Sequence, residues 1–217
     1  YTDKGNGGEY VSNTIVNNAT MIIESGVIEN NSSANVAANG YPHPVDNNGN
    51  LTINGGTFTN VGAKDFEDNG TTPNNNDLIY ASREGKITIN GGTYEGANVV
   101  NVWGKNHTIT IDGAVLTSLY QPSSAYYGFC VSLQDAENSI ATIKNSTLNS
   151  VHAKALGGTT KNEFVLENNT DNTQVYPFYI ENKPYLTLND AFAAAENNAT
   201  IYAPFNAEIA SSTVPEG

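Results

Sequence analysis

This sequence holds little of several chemistries: one cysteine, one tryptophan, one methionine and one arginine in 217 residues. The single cysteine, Cys130, excludes an intramolecular disulfide. It lies in the apolar run Phe129-Cys130-Val131, where a thiol behaves as a small hydrophobe, so a buried side chain is expected. Basic residues are scarce. Arg83 and eight scattered lysines face 22 acidic residues, for a formal net charge of −13 and a pI near 4.4. Such a chain repels phosphate backbones, which argues against nucleic acid and anionic lipid as partners. No apolar stretch approaches the roughly 18 residues of a membrane span, so no membrane insertion is expected of this segment. Tyr1 to Tyr10 is polar and lacks a signal-peptide pattern. The expectation is a module within a longer multidomain chain.

What is abundant is asparagine, glycine and threonine. Asparagine and glycine suit turns and left-handed backbone, and threonine suits strands. The apolar residues fall in short ordered runs between them. Leu51-Thr-Ile-Asn-Gly-Gly-Thr-Phe58 recurs as Ile87-Thr-Ile-Asn-Gly-Gly-Thr-Tyr94 and as Ile109-Thr-Ile-Asp-Gly-Ala-Val-Leu116. Weaker copies start at Met21, Ala141 and Phe164. Successive starts lie 22 to 36 residues apart, in the range of stacked repeats. Within a copy, Leu51 and Ile53 share one face and Thr52 takes the other. Asn54-Gly55-Gly56 turns the chain, and Thr57 and Phe58 resume extended structure.

A second apolar run precedes each motif: Leu78 to Ala81, Val99 to Trp103, Phe129 to Leu133. Each repeat therefore reads as a coil of two or three short strands with corners. One coil cannot bury its apolar face alone, whereas stacked coils share a continuous core. The fold expected is all-β, a right-handed parallel β-helix of about six to seven coils. At about 4.8 Å per coil, six coils make a rod of roughly 29 Å. The division expected is residues 1–180 as coils with inserted loops, and 181–217 as a strand-helix-strand cap or the start of a following module. The helix is expected at about Asn189 to Glu196, capped by Asn189 or Asp190. It is expected to close the end of the solenoid.

The Asn-Gly-Gly-Thr-Phe/Tyr coils resemble the pectate-lyase-like right-handed β-helix repeats of bacterial cell-surface proteins, especially large surface proteins of gut bacteria. The stretch from Tyr185 to Ile201 is similar to another element of those proteins. The resemblance spans roughly residues 14 to 203. It implies an extracellular setting, on the bacterial surface or secreted. It says little of activity, because one scaffold carries many functions.

Enzymes on this scaffold cleave or de-esterify acidic polysaccharides. A lyase of that kind resembles Ca²⁺ held by carboxylates on one sheet beside an Arg or Lys base. Here only Arg83 and Asp77, with Asp112 or Asp135 from other coils, offer such a set. The Asp-Asp and Gly-His-Gly elements of the hydrolases are absent. His43, His107 and His152 are isolated from one another and read as structural. Asp65, Glu67 and Asp68, in the inserted stretch 59–76, form an oxygen-rich candidate Ca²⁺ site, against the plainer reading of a solvated acidic loop. No other cofactor is expected.

Aromatic residues outside the repeat offer stacking faces for sugar rings, with asparagine, aspartate and threonine nearby for their hydroxyls. One candidate is the insertion from Tyr120 to Tyr127, which carries Tyr120, Tyr126 and Tyr127. The other is Trp103. If Val100 and Val102 face the core, Asn101 and Trp103 point outward. The function expected is a non-catalytic, adhesin-like surface module that binds a polysaccharide, a host or cell-surface glycan, or a partner surface. The alternatives are a pectate-lyase-like lyase or glycoside hydrolase, and a structural stalk.

Overall fold

The computed structural model describes residues 14–30, 43–60, 77–118, 128–150, 154–174, 178–180 and 183–203. They form six coils. The first three comprise β1 (Ile15–Asn17), β2 (Thr20–Ile23) and β3 (Val27–Asn30); β4 (Val45–Asn47), β5 (Asn50–Ile53) and β6 (Thr57–Asn60); and β7 (Asp77–Ala81), β8 (Lys86–Asn90) and β9 (Thr93–Gly96). The next three comprise β10 (Asn98–Lys105), β11 (Thr108–Asp112) and β12 (Val115–Ser118); β13 (Val131–Glu137), β14 (Ile140–Lys144) and β15 (Thr147–Ser150); and β16 (Leu156–Gly157), β17 (Glu163–Glu167) and β18 (Thr170–Asp171). Each coil gives one strand to each of three six-stranded sheets, and every pairing between coils is parallel. This is the expected right-handed parallel β-helix, with three strands per coil. Sheet A holds β1, β4, β7, β10, β13 and β16; sheet B begins with β2 and sheet C with β3.

The repeats stack in the register read from the sequence. On sheet B, Met21, Leu51, Ile87, Ile109, Ala141 and Phe164 lie side by side, followed two residues on by Ile23, Ile53, Ile89, Ile111, Ile143 and Leu166. These rows point inward. The residues between them, Thr52, Thr88, Thr110 and Thr142, point out and are half-buried. On sheet C the inward row runs Ile28, Phe58, Tyr94, Leu116 and Leu148. Phe58 and Tyr94 stack with ring centroids 5.1 Å apart. On sheet A, Val45, Ile79, Val100 and Val131 complete the core. Cys130 is buried as expected, and burial raises its thiol to about 12.

The corners explain the bias toward asparagine and glycine. At the turn between sheets B and C, Gly91, Gly113, Asn145 and Asn168 occupy equivalent positions, all with φ between 49° and 90°. Only glycine, and asparagine at modest cost, takes that conformation readily. The next position is tighter still. A Cβ on Gly92 would lie 2.8 Å from the Gly56 carbonyl oxygen of the coil below.

Beyond the coils, β19 (Phe178–Ile180), β20 (Lys183–Tyr185) and β21 (Ile201–Tyr202) form a small antiparallel sheet with α1 (Leu188–Ala194) packed against β19 and β20. The helix starts earlier than expected. Its cap is Thr187, whose hydroxyl accepts from the Asp190 N–H, so Asp190 belongs to the first turn. Leu166, in the inward row of the sixth coil, stays 53% exposed. The helix packs on β19 and β20 of its own sheet.

Candidate functional site

Sheet A departs from the repeat. Its outward row runs Asp46, Tyr80, Asn101 and Ser132 across four coils. Asp77, at the start of β7, is fully buried. An isolated buried carboxylate is costly, and two amides answer it. Asn98 Nδ2 donates to Oδ1 at 2.8 Å, and Asn101 Nδ2 donates to Oδ2 at 2.9 Å. The Asp77 carbonyl accepts from Asn60 Nδ2 at 3.1 Å. Burial pushes the Asp77 carboxyl up to about 6, against the pull of the two amides, and the charge of Asp135 adds to the rise.

His43 closes one side of this cluster. Its ring stacks on Tyr80 at 4.3 Å, and its Nδ1 lies 3.4 Å from the Asp77 carbonyl oxygen and 3.9 Å from Oδ2. Burial lowers the imidazole to about 4. His43 is thus neutral near pH 7, with its proton on Nδ1 facing oxygen. Its ring is packed on Tyr80 as a neutral group. His107 is held by a backbone contact: Nε2 donates to the Trp103 carbonyl at 2.6 Å, and burial lowers its pKa. That bond, with Gly104 at φ 90° and Asn106 at φ 62°, fixes the turn that follows Trp103.

The pairing of β10 with β13 slips by one residue between Asn101 and Trp103. Asn101 pairs with Ser132, but Trp103 pairs with Asp135. Such a bulge bends a strand and re-aims its side chains. Val100 and Val102 face the core, as expected, and Trp103 is 42% exposed. Asn101 differs from expectation. It stands in the outward row but is only 4% exposed, because its amide is spent on Asp77. Its Oδ1 is buried with no hydrogen-bond partner among the described residues, and so is Gln134 Oε1 at the bulge.

The other candidate carboxylates among the described residues fall on two sheets. Asp77 and Asp135 share sheet A, two coils apart. Asp112 is on sheet B, where its Oδ1 accepts from Asn145. Arg83 follows β7, and its charge acts on Asp46. Of the residues a lyase would use, Asp77 and Asp135 interact on sheet A, whereas Asp112 stands apart on sheet B. Tyr120, Tyr126 and Tyr127, and Asp65, Glu67 and Asp68, lie outside the described residues. Among the described residues no three His, Cys, Asp or Glu side chains converge as metal ligands. Comparison with protein-family models, with curated proteins and with solved structures gives no match.

Proposed function

We propose that this chain is a non-catalytic, adhesin-like module of a bacterial surface or secreted protein, which binds glycan through the outer side of sheet A. The observation that carries the reading is the pairing of half-exposed Trp103 with Asp135, beside the row Asp46, Tyr80, Asn101 and Ser132. An indole face stacks on the apolar face of a sugar ring, and Asp46 and Tyr80, the half-buried members of the row, supply groups for its hydroxyls. Coils repeat at about 4.8 Å, close to one pyranose residue of an extended chain, so a linear glycan along the solenoid meets successive coils in step. The resemblance to pectate-lyase-like surface repeats supports the extracellular setting.

The enzyme alternative draws on Asp77, whose carboxyl is tuned toward neutrality with Asp135 nearby. Full burial, with each carboxylate oxygen taking an asparagine amide, withholds Asp77 from any substrate. The binding reading therefore stands first. A glycan array tests it. Wild type should bind a defined set of linear glycans, and Trp103→Ala should lose them while remaining folded at the assay temperature. Absence of binding by wild type, or unchanged binding by the variant, would refute the assignment.

A further inference from the structure

Resting on that reading, we propose that the Trp103 subsite selects a sugar that carries a free amine, an amino sugar with an unacetylated ammonium group. The argument starts from what this subsite offers a ligand. Asp135 is exposed, and no hydrogen bond or ion pair engages its carboxylate among the described residues. Cations on other coils of the solenoid are turned elsewhere. Lys105 and Lys161 both act on Glu137, and Arg83 acts on Asp46. The partner of Asp135 across the bulge is Trp103, whose indole face attracts cations through its ring quadrupole.

The second observation is independent of charge. Asn101 stands on the same side of β10 as Trp103, two residues before it. The ionised Asp77 carboxylate can only accept, so it draws Nδ2 of Asn101 toward itself. Oδ1 must then face away from Asp77, and it has no donor among the described residues although the residue is only 4% exposed. A buried acceptor left open is costly, and since the atom is closed to solvent, a ligand N–H reaches it only if the side chains over it shift on binding. Carboxylate, indole face and orphaned amide oxygen all want the same thing, a positively charged hydrogen-bond donor. A net charge of −13 draws such a ligand in and repels uronic acids.

The test is calorimetry on the full chain with two probes: β-1,4-linked glucosamine oligosaccharides with free amines, and the same oligosaccharides N-acetylated. The free-amine probe should bind at least about tenfold tighter, the order expected of a desolvated cation on an indole face. Asp135→Asn should bring the ratio to about one, and Trp103→Ala should abolish binding of both probes. Equal affinity for both probes, with Trp103→Ala still silencing them, would overturn amine selection and leave the glycan reading standing. Free-amine binding that survives Asp135→Asn and Trp103→Ala would be diffuse attraction to an acidic surface and would overturn it too. Oligolysine binding as tightly as the free-amine sugar would show a site that reads charge alone, which also contradicts the proposal. If neither probe binds, amine selection fails, and the glycan array decides separately whether the parent reading fails with it.

Discussion

Sheets A and B are built from the same six coils, yet they differ in kind. Sheet B pairs without a register shift, buries aliphatic rows inside and shows threonines outside. Sheet A slips between β10 and β13, buries an aspartate and exposes a tryptophan. Sheet B is what the repeat needs to stand. Sheet A spends stability on a buried charge and leaves acceptors unpaired, a cost that only something other than folding repays. On the function proposed above, the contrast assigns recognition to sheet A and support to sheets B and C.

The largest break should come from the supporting side. Phe58→Ala removes a fully buried ring stacked on Tyr94 and should cost about 3–5 kcal/mol in urea unfolding. Glycan specificity of the folded fraction should not change. Next in size is Asp77→Ala, which strips the acceptor from Asn98 and Asn101 and should cost roughly 2–4 kcal/mol. Unlike Phe58→Ala, it should also weaken binding, because Asn101 loses what orients it. Equal loss of binding in both variants at matched folded fraction would erase the distinction between the sheets.

The buried pair on sheet A gives a pH signature that sheet B lacks. Folding raises Asp77 from 3.8 to about 6, so its contribution to stability falls as pH rises through that window. Folding lowers His43 from 6.5 to about 4, so its contribution falls as pH drops through nearly the same window. In wild type the two slopes oppose each other. His43→Gln leaves the Asp77 slope alone. Relative to wild type, the variant should be roughly 2–3 kcal/mol more stable at pH 4 than at pH 7. Parallel pH profiles would contradict this. Smaller still, Gly92→Ala places a Cβ against the Gly56 carbonyl at φ 94° and should cost about 1–3 kcal/mol without affecting binding.

The fold was legible because identical motifs must stack in register. Leu51, Ile87 and Ile109 align in sequence and touch as neighbours in sheet B. The site was legible only in part. Two-residue alternation put Trp103 and Asn101 on the outer face, but alternation cannot say that Asp77, 24 residues earlier, holds Asn101. A signal was present. Asp77-Leu-Ile-Tyr-Ala and Asn98-Val-Val-Asn-Val begin equivalent strands, each with a polar residue where an apolar one would serve. The bulge was not legible, because one extra residue in β13 changes no local pattern. The helix start was missed because Asn189 and Asp190 drew the cap, although Thr187 stands three residues before Asp190.

The central claim is that recognition resides where sheet A breaks the repeat. It is tested most directly by Trp103→Ala, assayed side by side for glycan binding and for urea stability. Truncating a half-exposed indole outside the core should cost about 1–2 kcal/mol, less than Phe58→Ala, and leave the protein folded, while binding to every glycan recognised by wild type is lost. A folded Trp103→Ala protein that binds the same glycans as tightly as wild type would contradict the account.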